Sequence, residues 1–439
     1  MGLHKRIRFY SLRNFELIPQ IRSLSSEAKF SIKAVSRVLP FRTNNYIVNE
    51  LIDWNAVPND PIFQLTFPQR GMLEEKQYAA IADSILRGES QNTINQLADT
   101  IRFELNPHPA GQKELNVPNM DNTPLQGIQH KYKETCLVFP SAGQTCHAYC
   151  TYCFRWAQFI RVDNGKFSTV RTKRYLKYIE EHKEITDVLF TGGDPMIMTV
   201  AKLKDYILPF LQPEFEHVNS IRIGTKVLSF WPYKFTIDKE SSELLQFFEE
   251  IVNSGKHLAI MAHFSHGNEL KTNAVRSAIE KIRGTGAEIR SQAPIVKHIN
   301  NEAAVWAEMW KEQVRLGIIP YYMFVERNTG AKNYFEIPLA EAFRIFKKAY
   351  SSISGLARTV KGPSMSALPG KVNVDGISEV NGEKVFVLNF IQARNPDWVK
   401  IPFFAEYDEN ATWLTDLKPA FGKKKFFYED ELEEMKKRI

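Results

Sequence analysis

Short β-prone runs recur through the middle of this chain at intervals that leave few architectures open. "DVLFTGG", "SIRIGTK", "HLAIMAHF", "EIRSQAPIV" and "IPYYMFVE" begin at positions 187, 220, 257, 288 and 319, between 30 and 37 residues apart, and "CLVFP" (136–140) precedes them. Segments of helical period separate them, among them "TVAKLKDYILPFL", "SSELLQFFEEIVNS", "TNAVRSAIEKIRGTG" and "EAAVWAEMWKEQVRLG". Parallel strands need a crossover between them, and a strand–helix–strand unit takes about 30 residues. The pattern predicts an α/β fold with a partial parallel (β/α)6 TIM-like barrel over 136–355. Glycine and polar residues gather directly after the strands, in "GGDP", "GTK", "HFSHGNE" and "ERNTG". A parallel barrel collects its active-site loops at that end.

The flanks read differently. Residues 1–105 form a helical N-terminal region in which "EEKQYAAIADSILRG" and "NTINQLADTIRFELN" are amphipathic helices, followed by a connector over 106–135 that is Pro-rich at 106–127. Between Lys5 and Arg42 nine Lys or Arg stand against two Glu, which reads as a solvated helical extension. The segment 356–439 is expected to serve cofactor binding and oligomerisation. It contains short strands with a hairpin around "NGEK" and a terminal stretch, "FGKKKFFYEDELEEMKKRI", that is either a docking helix or a solvated end.

Composition excludes several classes. No run approaches the roughly 18 apolar residues of a membrane span, and the N-terminus lacks the apolar core of a secretion signal. A soluble, cytoplasmic protein is expected, with no membrane partner. The net charge of +7, from 57 Lys and Arg against 50 Asp and Glu, comes without a basic stripe, so no nucleic-acid partner is expected.

Three of the four cysteines fall within "CHAYCTYC", as Cys146, Cys150 and Cys153. Four cysteines in 439 residues are too few for a disulfide scaffold and point to a reducing compartment and a metal. Structural zinc wants a fourth ligand, and His147, adjacent to Cys146, is a poor bite for the same ion. Three thiolates in one loop suit an iron–sulfur cluster with one iron left open to chelate a small molecule.

Cys-x3-Cys-x2-Cys in the loop after the first strand resembles the radical S-adenosylmethionine (radical SAM) superfamily, and "TGGDP" resembles its Gly-Gly-acid motif. The likeness extends to the lysine 2,3-aminomutase family through "NDPIFQLTFPQ", "PLQGIQHKYKE", "CHAYCTYCFRWAQF", "LFTGGDPM", "IRIGTK", "AHFSHGNEL" and "IPYYMF", in the same order. The resemblance implies an isomerase with a 4Fe–4S cluster on Cys146, Cys150 and Cys153, S-adenosyl-L-methionine and pyridoxal 5'-phosphate (PLP). In that family a 5′-deoxyadenosyl radical acts on an amino acid held as a PLP aldimine and yields the β-amino acid. It also implies an electron donor such as flavodoxin or ferredoxin.

By the same resemblance, Gly192, Gly193, Asp194, Lys226, His263 and Gln292 line the adenosylmethionine pocket. Lys371, in a shortened "LPGK", is the Schiff-base lysine, and Lys131 and Tyr132 lie at the PLP phosphate and ring. Arg155 matches the residue that holds the substrate carboxylate. Lysine-specific members clamp the substrate ammonium with two aspartates, and Asn301 and Arg327 occupy those positions here. A buried ammonium facing Arg327 is repelled, so an acidic or neutral side chain, such as that of glutamate, is expected instead. Glu326 restores a negative charge only if a bulge shifts the strand by one residue. The C-terminal cysteines that bind an inter-subunit zinc in some members are missing, so a homo-oligomer is expected without bridging zinc. Two other readings stand beside this one: a PLP-independent radical SAM enzyme modifying another substrate such as a peptide side chain, and a non-catalytic protein using the thiols structurally.

Overall fold

The computed structural model describes residues 6–111, 115–160, 168–169 and 172–437. Residues 1–5, part of the connector and the last two residues, all of which entered the sequence reading, lie outside them. An eleven-stranded mixed sheet organises the fold, its strands ordered along the sheet as along the chain. They are β1 (Ile128–Tyr132), β2 (Thr135–Val138), β3 (Asp187–Phe190), β4 (Ser220–Thr225), β5 (His257–His263), β6 (Glu288–Ile295), β7 (Ile319–Val325), β8 (Lys361–Ser366), β9 (Gly370–Val380), β10 (Glu383–Ala393) and β11 (Phe403–Glu406). Neighbours from β2 to β8 are parallel; β1 on one side and β9 to β11 on the other run antiparallel. No ladder joins β1 to β11, so the sheet is open.

Three longer helices precede the sheet, α1 (Ser26–Val38), α2 (Glu75–Leu86) and α3 (Gln91–Glu104). Each crossover from β2 to β8 carries one main helix: α4 (Thr172–Glu181), α5 (Val200–Ile207), α6 (Ser241–Asn253), α7 (Asn273–Gly284), α8 (Ala303–Arg315) and α9 (Leu339–Ser351). Ser25, Ser90, Thr199 and Thr272 cap α1, α3, α5 and α7 by accepting backbone N–H bonds, each contributing about 1 kcal/mol. β5 reads "HLAIMAH" and is buried at all but its two ends, as a parallel strand covered on both faces must be. No helix among the described residues is long and apolar enough to cross a membrane.

The six strands read from the sequence are present, and a seventh parallel strand, β8, follows α9. The N-terminal region departs from the solvated extension expected of it. Phe15, Ile18, Ile21, Ile32 and Val35 are at most 2% exposed and join the same apolar core as the parallel strands. Their basic neighbours reach solvent along aliphatic stems. A second apolar cluster lies under β8 to β11, and Phe426, Tyr428 and Leu432 of the C-terminal stretch pack into it before and within α10 (Glu429–Lys437). The "NGEK" hairpin is β9–β10, turned by Asn381 and Gly382 at positive φ, the geometry that a two-residue Asn-Gly turn requires.

Candidate active site

Residues of the sheet strands and of the loops that follow them line a cavity of about 360 Å³. It is lined by Cys146, Cys150 and Cys153 and by Lys131, Tyr132, Arg222, Tyr322, Lys371 and Gln392. Of the sequence-derived candidates, Gly192, Gly193, Asp194, Lys226, His263, Gln292, Arg155 and Arg327 also line it, and Asn301 does not. Its neighbour Asn300 holds the turn instead, donating to Ser265 O at 2.9 Å and Pro294 O at 3.0 Å and accepting from Val296 N at 2.8 Å.

The thiol loop leaves β2 through a 3-10 turn at Ser141–Gly143 and ends in the short helix Trp156–Phe159. The Gly-Gly-Asp turn after β3 lies against it. Asp194 N donates to Gly143 O at 2.9 Å and Thr145 O at 2.8 Å. A Cβ on Gly193 would stand 2.6 Å from Thr145 O and against Thr145 N, so only glycine permits this approach. The Asp194 carboxylate accepts from Thr225 Oγ1 at 2.6 Å, Lys226 N at 3.0 Å and Met196 N at 2.9 Å, tying the ends of β3 and β4 together. Burial lifts its pKa to about 6 although these bonds oppose the rise. Gly193→Ala is expected to destabilise the protein by about 1–3 kcal/mol through overpacking, read as a lower thermal midpoint with reduced iron uptake on reconstitution.

The donor set fits a polynuclear cluster better than a single ion. Among the described residues no three His, Cys, Asp or Glu side chains stand close enough to ligate one metal ion, whereas a cluster places each cysteine on a different iron. Burial pushes all three thiols up in pKa, so their thiolates need a bound cation to persist. His147 is buried, and burial lowers its pKa to about 3, leaving it neutral.

Lys226 forms a buried ion pair with Glu269 at 2.7 Å and also donates to His263 O and Ser265 Oγ at 3.1 Å. Its charge is therefore met within the protein. His263 is held neutral by burial and by Lys226, and its Nδ1 has no hydrogen-bond partner.

Lys371 opens β9, opposite Ser366 and Gln392. Its amine donates to Gln392 Oε1 at 3.1 Å and lies 4.1 Å from the Tyr322 ring centroid. Burial, then Arg222, Lys361 and Arg327, lowers its pKa to about 7, leaving much of the amine unprotonated and nucleophilic near neutral pH. Lys131 donates to Ala367 O and stands 5.4 Å from the Tyr132 ring centroid. Arg222, which the sequence reading passed over, is fixed by a two-point ion pair with Asp187, one arm at 2.7 Å. The alternation of β4 turns it inward.

Two arginines stand in the cavity wall without a carboxylate partner among the described residues. Arg155 lies 4.5 Å from the Phe139 ring centroid and 4.9 Å from that of Phe154, and its Nη1 is buried without a hydrogen-bond partner. Arg327 lies 4.2 Å over Phe154. Each is lowered to about 10, by burial in both and by Arg327 as a second cause at Arg155. A buried guanidinium donor without an acceptor is costly, so an anion placed here is stabilised.

β7 carries a bulge at Tyr321, and its register with β8 shifts after Tyr322; Glu326 and Arg327 lie past the end of the strand, and both line the cavity wall. The Glu326 carboxyl has no hydrogen-bond partner, and burial followed by Glu336 raises its pKa well above the carboxylate range. The rise favours its neutral form, which carries no charge to set against Arg327. A raised native pKa means that stability falls as pH rises from the unfolded carboxylate's pKa toward the native one. Thermal melting between about pH 5 and 8 is expected to show that decline, and Glu326→Gln to flatten it.

No family model matches the chain. A protein of Aquifex aeolicus named "Putative L-lysine 2,3-aminomutase" is 30% identical over 377 residues, covering 86% of this chain and 87% of its own. The chain belongs to the lysine 2,3-aminomutase family. Glutamate 2,3-aminomutase of Clostridioides difficile is 27% identical over 57% of this chain and 54% of its own, and L-lysine 2,3-aminomutase of Escherichia coli 26% identical over 57% and 73%. A radical SAM methyltransferase structure from Sphaerobacter thermophilus aligns over 53% of this chain and 68% of its own, at TM-score 0.35 and 10% identity. Lysine 2,3-aminomutase family members are radical SAM isomerases that use a 4Fe–4S cluster, S-adenosyl-L-methionine and PLP.

Proposed function

We propose that this chain is a radical SAM 2,3-aminomutase that converts a free α-amino acid with an acidic or neutral side chain, glutamate being the best fit, to its β-amino isomer. The observation that carries the reading is the pair of buried arginines, Arg155 and Arg327, in one cavity wall without a carboxylate partner among the described residues.

When bound, a 4Fe–4S cluster with adenosylmethionine supplies the 5′-deoxyadenosyl radical, and PLP supplies a carrier for the migrating nitrogen. Cys146, Cys150 and Cys153 hold the cluster. Gly192, Gly193, Asp194, Lys226, His263 and Gln292 border the adenosylmethionine. Lys371 offers an unprotonated amine to PLP, with Lys131 and Tyr132 beside it. Arg155 pairs with the substrate α-carboxylate, in the two-point geometry that a guanidinium favours, and Arg327 with the side-chain end. Asn301, outside the cavity lining, has no part in this assignment. Around these residues the parallel strands act as a partial (β/α)6 barrel, a reading supported by the approach of β10 to β1 within 8 Å between Cα atoms. The segment over 356–439 contributes Ser366, Lys371 and Gln392 to the cavity lining, while the N-terminal region over 1–105 bonds to the thiol loop.

The test is anaerobic purification and reconstitution, followed by absorbance spectroscopy. A PLP band that shifts on addition of glutamate supports the proposal. Failure of the reconstituted wild type to bind PLP would sink it and favour a PLP-independent radical enzyme.

A further inference from the structure

The thiol loop is held from behind by the N-terminal region. Tyr149 N donates to Arg42 O at 2.8 Å and Thr151 N to Leu65 O at 3.0 Å, while Thr151 Oγ1 donates to Gln64 O at 2.7 Å. Asn44 Nδ2 donates to His147 O at 3.0 Å. These ties alternate with the cysteines, so the loop's conformation is set by residues about a hundred positions away.

Arg42 differs from the other three in carrying charge. Its Nη1 donates to Thr145 Oγ1 at 2.7 Å and to Cys146 O at 3.2 Å, and Thr145 Oγ1 in turn meets Tyr149 OH at 2.8 Å. The guanidinium carbon lies 5.1 Å from the Phe9 and Tyr149 ring centroids. No ion pair to Asp or Glu is found for it among the described residues. The guanidinium is thus fixed against the backbone of the first thiol ligand by two bonds and two rings.

We propose that Arg42 is a positioning residue for the iron–sulfur cluster, holding the Thr145–Cys146 segment and placing a fixed positive charge that stabilises the reduced cluster. This rests on the cluster assignment made above. Reduction adds one electron to a cluster already made anionic by three thiolates, and a nearby cation in a low-dielectric wall favours the more negative state. Arg42 thereby helps set how readily the donor's electron is accepted.

The test is an EPR-monitored redox titration of reconstituted protein, with iron and sulfide counted per chain. Four irons and a reducible cluster signal in the wild type test the cluster assignment itself, separately from the variants. In Arg42→Gln the ratio of reduced to oxidised cluster at a fixed potential is expected to fall about tenfold, equivalent to about 59 mV for one electron, with iron content retained. Arg42→Lys keeps the charge and is expected to recover most of that ratio. Should Arg42→Gln not fold, Arg42→Met, which preserves the stem between the two rings, takes its place. Neutral variants with the wild-type potential overturn the proposal, as does a lysine variant no better than the neutral ones. Thr145→Val, which removes the hydroxyl and no charge, is expected to leave the potential unchanged, and an equal shift there would assign the effect to loop geometry instead.

Discussion

Lys371→Ala is expected to abolish the PLP absorbance band and to lower aminomutase turnover by roughly a thousandfold or more, because the amine that captures the cofactor is gone. Adenosylmethionine cleavage by the reduced protein should persist, since the substitution leaves all three thiols in place. The side chain is well suited to the role. Burial and then its cationic neighbours lower its pKa to about 7, and it rests on Tyr322. A lysine exposed after a Pro-Gly turn, the ordinary reading of "LPGK", would have neither property. Lys371→Arg keeps a cation without a usable nucleophile and should fail as Lys371→Ala does. Retention of the band in both variants would move the attachment to another amine.

Arg327→Asp is expected to reduce kcat/KM for an acidic substrate by about a thousandfold, since losing one partner of a buried charge pair costs about 2–5 kcal/mol and a new carboxylate repels the substrate. The same variant should raise turnover of lysine, whose ammonium it can pair. Steady-state assays with both amino acids check this. Loss of activity with both, in protein that still carries its cluster, would place Arg327 in the fabric of the site and outside substrate choice.

Much of this arrangement was legible in the sequence because it is local. The period of the β-prone runs located six parallel strands, and "CHAYCTYC" located three thiols that do line one cavity. What escaped was set by distant contacts. β8 reads "KGPSMS", and its Gly and Pro disguise a strand that pairs with β7 only at Tyr322–Lys361 and Phe324–Ser364. The basic N-terminal stretch looked solvated because its apolar residues are spaced among charges. Only the tertiary structure shows Ile32 and Val35 buried and Arg42, Asn44 and Gln64 on the thiol loop. The resemblance sets Asn301 at the position of a substrate-clamping aspartate, yet Asn300 takes the turn and Asn301 stands outside the cavity lining. Strand alternation argued that Glu326 and Arg327 face apart. Both lie beyond the end of β7, where strand alternation no longer holds, and both line the cavity, burial raising the pKa of the carboxyl.

The central claim concerns which amino acid enters a cavity walled by Arg155 and Arg327. Reduced, reconstituted protein should be incubated with adenosylmethionine, PLP and single amino acids, and the β-amino products scored by mass spectrometry after derivatisation. The account predicts a β-amino product from an acidic or neutral amino acid, with glutamate ahead of lysine. Lysine as the best substrate, unimproved by Arg327→Asp, would contradict it.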